Sequence, residues 1–140
     1  MMERLSETWR WINARDLLPI VAAGQGIYFA LTGLWALVSI RTFQMVTGPK
    51  TDLWLVKTVG ALVGVIGGVL GLAASRHRVE PEIVLLGVGS AASLGAVDMI
   101  YVARKRIAPI YLLDALAELL LIAAWGHAWY HRPRQDSAHL

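Results

Sequence analysis

Four long apolar runs, joined by short polar connections, organise this chain of 140 residues. The runs cover about 17–40, 53–75, 82–103 and 109–130. Each holds at least the roughly 20 residues an α-helix needs to cross bilayer hydrocarbon. Helix-start signals sit where the runs begin. Asp16 can cap the first, and Pro19 falls in its first turn, where a missing N–H does no harm. Thr51 or Asp52 can cap the second. Pro81 opens the third, with Glu80 and Glu82 complementing the helix dipole, and Pro109 opens the fourth. Short connections make neighbours in sequence antiparallel neighbours in space. The pattern predicts an all-α, integral membrane, up-down four-helix bundle over 17–131, with both termini on one side. Ahead of it, residues 1–16 read as an amphipathic interfacial segment: Leu5, Trp9 and Ile12 recur at i, i+4 and i+7 among charged residues. Residues 132–140 read as a polar tail. The first apolar run is too long for a signal-peptide core and is read as a retained span.

Within the spans, small and polar residues fall on defined faces. Gly60, Gly64, Gly67 and Gly71 follow a 4-3-4 spacing on the second span, and Lys57 extends that row by three. Gly87, Ala91, Gly95 and Asp98 form a similar row on the third span. Small residues let helix backbones approach closely in lipid. The simplest expectation packs these two rows together and brings Lys57 to Asp98. The same spacing equally suits a homodimer or a larger membrane complex. The first span carries Gln25, Thr32 and Ser39, seven residues apart and so stacked on one side. Thr32 and Ser39 can bond their own helix backbone. The Gln25 amide needs a partner across the bundle, for which His127 is the expected choice. On the fourth span Tyr111, Asp114 and Glu118 share a face, with Trp125 seven residues beyond Glu118.

Composition agrees with the membrane assignment: 56% of the residues are hydrophobic and 16% charged. Soluble domains average about 45–50% and about 25%. The absence of cysteine excludes disulfides, thiolate metal sites and thiol nucleophiles. The net charge of +3 reflects headgroup anchoring rather than nucleic-acid binding, because no basic stripe is built for phosphate. Seven basic residues fall on the terminal side of the threading and six on the other. That count does not decide the orientation; the termini of a multi-pass cell-membrane protein are taken as cytoplasmic, although the compact Arg104-Lys105-Arg106 cluster argues the other way.

The candidate chemistry is carboxylic. Threading places Asp98, Asp114 and Glu118 toward one membrane face, with Lys57 as their expected cation and Arg41 or Arg104 reaching in from the rim. Glu118 lies about nine residues past Pro109, roughly 13 Å along the axis, which is too deep for an interface residue. Ionisable groups inside a membrane usually pair, line a wet cavity or carry function. Four readings follow: a buried ion network that sets bundle register, a pocket for a small or lipid-like ligand, acid–base catalysis, or proton-coupled transport. The favoured one is ligand binding by Lys57, Asp98, Tyr111, Asp114, Glu118, Gln25 and Trp125, with a small apolar or amphipathic ligand and the bilayer as partners. No catalytic residue is assigned; Glu118, Asp98 and Asp114 are the candidates for isomerase-type chemistry. In architecture alone the chain is similar to the emopamil-binding type of sterol isomerase, which also buries acids in a helical membrane bundle; no residue role carries over. His127 and His131, four apart, are the one candidate metal pair, without a third ligand at motif spacing. Phosphate-loop, dinucleotide and zinc-protease motifs are absent, and no cofactor is assigned.

Overall fold

The computed structural model describes residues 16–133. The expected interfacial segment and most of the polar tail lie outside these residues. Five helices occur among the described residues: α1 (Leu18–Val38), α2 (Ile40–Thr47), α3 (Leu53–Ser75), α4 (Pro81–Ala103) and α5 (Tyr111–Tyr130). Four of them, all but α2, are long and apolar enough to cross a membrane. The protein is an all-α membrane bundle, and its lipid-facing exterior is apolar, with Ile20, Ile27, Leu62, Leu85, Leu113 and Leu120 all exposed.

The start signals hold in part: Leu17 rather than Asp16 is the N-cap of α1, Asp52 stands at the N-cap of α3 without a side-chain cap bond, and α5 begins at Tyr111, two residues past Pro109. The Asp16 carboxylate accepts the Leu18 N–H at 3.3 Å, and Pro19 lies in the first turn of α1. Pro81 begins α4, with Glu82 in its first turn. The ends of α3 and α4 share one device. His77 and Lys105 adopt positive φ, 50° and 58°. Arg78 N–H then reaches Ala73 O at 3.0 Å, and Arg106 N–H reaches Tyr101 O at 2.9 Å. These are Schellman closures with side-chain-bearing residues where glycine is usual.

The short helix α2 was not anticipated. Ser39 breaks the helix at φ −139°, ψ 72°, and the chain turns into eight further helical residues. Trp35 holds the corner: its Nε1 donates to Thr42 Oγ1 at 2.9 Å, and its ring meets Phe43 edge-on at 5.3 Å. Gly48 ends α2 at φ 90°, a value glycine reaches without a Cβ clash.

Helix pairing corrects the expected one. The glycine row of α3 packs against α1, not α4. A Cβ on Gly26 would lie 2.8 Å from Gly71 N, and one on Gly67 would lie 2.5 Å from Ala30 N. The partner face is Ala22, Gly26, Phe29, Gly33 and Ala36, all buried and spaced 4-3-4-3. The α4 row is taken by α5 instead. A Cβ on Gly87 would lie 2.6 Å from the Trp125 ring, and one on Gly95 would lie 3.2 Å from Glu118 Cβ. The contacts show what each row meets: the α1 face brings Gly26 and Gly33 into backbone contact with the α3 row, and α5 fills the α4 row with the Trp125 indole and the Glu118 stem. The bundle is therefore two tight pairs, α1–α3 and α4–α5, with α3 and α4 touching only lightly.

The two ends of the bundle differ. At one end Leu18, Ala22, Leu70, Ala74, Trp125 and Ala128 form a buried apolar cluster. Residues from the beginnings of α1 and α4 and the ends of α3 and α5 meet there, which establishes the antiparallel threading. At the opposite end the four spans part and enclose a cavity.

Candidate functional site

The cavity has a volume of about 280 Å³ and draws its walls from all five helices. Phe29, Ala36, Phe43, Val56, Val63 and Leu94 are among its apolar lining. Its polar lining comprises Tyr28, Thr32, Asp98, Tyr111, Asp114 and Glu118, and among the described residues no Lys, Arg or His borders it. Three of the lining residues, Leu55, Val59 and Val97, are also exposed, at 47%, 44% and 50%. Leu55 and Val59 belong to α3 and Val97 to α4, the two spans that touch only lightly.

The acids are held by local geometry. Asp98 is the last small-row position of α4, and its neighbour in that row, Gly95, leaves room for the Glu118 stem. Asp114 and Glu118 stand one turn apart on α5. Glu118 is 1% exposed and Asp98 is 7% exposed. Glu118 Oε2 and Asp98 Oδ2 have no hydrogen-bond partner. Asp114 is half-buried, and its Oδ1 accepts from the Tyr28 hydroxyl. Thr32 spends its hydroxyl on its own helix, donating to Tyr28 O at 2.7 Å. Tyr111 borders the cavity, and the Lys50 ammonium sits 4.9 Å from its ring centroid while donating to Thr47 O at 3.0 Å.

Several expected members are elsewhere. Lys57 is exposed and does not border the cavity. Because the glycine face of α3 meets α1, Lys57 is carried away from Asp98. Arg41 and Arg104 are likewise exposed and stand outside the lining. The acids therefore meet without the cation expected to balance them. Gln25 and Trp125 come together, but in the packed half. Trp125 Nε1 donates to Gln25 Oε1 at 2.6 Å, and Gln25 Nε2 donates to Gly87 O at 2.9 Å and Ser90 Oγ at 3.3 Å. This clamp ties α1 to both α4 and α5. The expected Gln25–His127 contact is not made; His127 is exposed and lies against His131, their ring centroids 4.4 Å apart. Among the described residues no group of three or more His, Asp or Glu is placed to hold a metal ion.

Tyr28 is the member that sequence reasoning passed over. Its position did carry a signal, since Gln25, Tyr28 and Thr32 fall at i, i+3 and i+7 on one face. Phe43 was inaccessible to that reasoning because it arrives on the unanticipated α2. Chemically, the site offers carboxyl and hydroxyl groups in a largely apolar chamber. Comparison with protein-family models, curated proteins and solved structures finds no match to this chain.

Proposed function

We propose that this membrane protein binds a small apolar or amphipathic, lipid-like ligand in the acid-lined cavity and takes it up from the bilayer. One observation carries the proposal. Buried polar atoms are nearly always partnered. Here two carboxyl oxygens, on Glu118 and Asp98, are buried without partners among the described residues, and both residues line the cavity. A ligand with an apolar body and a polar head would meet both needs of the chamber. A lateral seam between α3 and α4 would give such a molecule a path that never leaves hydrocarbon. Tyr28, Asp98, Tyr111, Asp114 and Glu118 form its binding set, and Gln25 and Trp125 support them from the packed half.

The meeting of three carboxyl groups favours one second reading, in which Glu118 and Asp98 exchange a proton with the bound molecule as an isomerase-type enzyme or a proton-coupled transporter. Assembly with a second copy or within a larger membrane complex would use faces other than the glycine rows, which α1 and α5 already occupy. We place the termini in the cytoplasm, a choice the seven-to-six count of basic residues does not decide.

The test is a mass-spectrometric inventory of small molecules that co-purify with the wild type and with Val59→Trp, a substitution that closes the seam. A molecule enriched on the wild type and lost from the variant supports the reading. Identical inventories would refute it.

A further inference from the structure

We infer that the ligand's head is a protonated primary or secondary amine on an apolar body. The inference rests on the binding reading above and gives the ligand a chemical class. It starts from charge. Three acids, Asp98, Asp114 and Glu118, line one cavity, and among the described residues no basic side chain joins the lining. A carboxylate in a poorly hydrated chamber is costly unless a positive charge compensates it. Lys57, Arg41 and Arg104, the side chains of the chain's own threading that could have done so, are exposed outside the lining. Lys50 is engaged at the rim by Thr47 and the Tyr111 ring. Protonation would neutralise these acids one at a time; an occupant that carries its own positive charge compensates them while they stay ionised, and that is the occupant inferred here.

Hydrogen bonding narrows the head further. The acidic cluster alone would not define a ligand. The unpartnered oxygens do: Glu118 Oε2 and Asp98 Oδ2 belong to side chains 1% and 7% exposed, and both residues line the cavity. Each needs a donor. A primary ammonium carries three N–H groups and a secondary one carries two, enough for both oxygens. A quaternary ammonium carries none and would leave both orphaned. A metal ion is disfavoured, because no three carboxyls among the described residues are arranged to coordinate one. A zwitterionic phospholipid amine is disfavoured as well, since its phosphate would find no cation in the chamber. The remaining wall is aromatic and aliphatic: Phe29, Phe43, Val56, Val63 and Leu94 suit a ring or a short alkyl body. At about 280 Å³ the chamber sits just below the roughly 300 Å³ at which pockets begin to enclose drug-sized ligands, so a longer tail would extend through the α3–α4 seam.

The test measures binding to the full-length protein in a non-ionic detergent at neutral pH, by calorimetry, with three probes of one shape. These are 4-phenylbutylamine, 4-phenylbutanol and 4-phenylbutyltrimethylammonium. The expected result is one amine site, at least about tenfold tighter than either analogue, as charge-assisted hydrogen bonds require. Glu118→Gln and Asp98→Asn should each weaken the amine about tenfold and leave the alcohol unchanged. Val59→Trp, on the exposed lip, should block the amine without touching the acids, and it keeps the test decisive if an acid variant misfolds. Equal binding of amine and alcohol would overturn the amine assignment and leave an apolar-ligand pocket standing. Tighter binding of the quaternary probe would overturn it too. If no probe binds, the amine assignment falls; the binding reading then falls only if the co-purification inventory is also unchanged by Val59→Trp.

Discussion

Glu118→Met separates a site from a scaffold, because the two roles require opposite signs. Glu118 is 1% exposed, and its Oε2 has no partner. Leaving a buried polar group unsatisfied costs about 1–3 kcal/mol. Methionine keeps an unbranched stem, which matters because the Glu118 Cβ and Cγ lie 3.2 and 3.9 Å from where a Gly95 Cβ would stand. Removing the carboxyl relieves the desolvation penalty and keeps the packing. Glu118→Met is therefore expected to raise stability by about 1–2 kcal/mol while abolishing amine binding, the trade-off seen where a site is strained for function. Gln25→Met is the internal control. The Gln25 amide is fully buried and bonded to Trp125, Gly87 and Ser90. Its loss leaves the Trp125 N–H without its acceptor and should cost about 1–2 kcal/mol, within the range for hydrogen bonds between membrane helices. The assay is reversible unfolding in mixed micelles followed by tryptophan fluorescence. If Glu118→Met instead destabilises the bundle as much as Gln25→Met does, the acids are structural and the site reading is wrong.

Other outcomes follow from particular contacts. Gly87→Ala places a Cβ 2.6 Å from the Trp125 ring and should cost about 1–3 kcal/mol in the same unfolding assay, as overpacked cores do. Lys105→Gly removes a side chain from a positive-φ position, 58°, and should stabilise the protein by about 0.5–1 kcal/mol after the added chain entropy is counted. Lys57→Ala should leave 4-phenylbutylamine affinity unchanged in calorimetry; a large loss would return Lys57 to the site. Because the chain has no native cysteine, Lys105→Cys can be labelled alone in intact cells. An impermeant thiol reagent should reach it from outside if the termini are cytoplasmic, and protection from that reagent would reverse the orientation.

Span positions were legible because hydrophobic length is a strong constraint in lipid. The run over 53–75 matches α3 (Leu53–Ser75), and the run over 82–103 differs from α4 by one residue at its start. Convergence of the acids was legible for the same reason: antiparallel threading alone puts Asp98, Asp114 and Glu118 toward one end. The short α2 was hidden because Arg41 ends the apolar run, and eight residues are too few to show a period. Pairing was hidden for a deeper reason. Spacing assigns a residue to a face but does not say which helix covers that face. The deciding information lay in complementarity. Ala22, Gly26, Phe29, Gly33 and Ala36 repeat at 4-3-4-3 on α1, a small-residue row that brings its backbone against that of α3. Attention to Gln25, Thr32 and Ser39 obscured that row. Once α3 turned toward α1, Lys57 left the acids, and the expected ion network became a cavity without a cation.

That change of partner also explains how the bundle tolerates two orphaned carboxyl oxygens. Stability is concentrated away from them. Backbone-close packing holds α1 to α3, the Trp125 indole fills the Gly87 notch between α4 and α5, and Gln25 joins the two pairs through three hydrogen bonds. At the acid end the pairs are joined by the Tyr28–Asp114 bond and otherwise part around open space. A fully satisfied ion network would have closed that space and gained register at the expense of a vacancy. On the proposal that the cavity binds an amine, the buried acids and the open space beside them are one feature: the occupant would supply the positive charge that the described lining lacks.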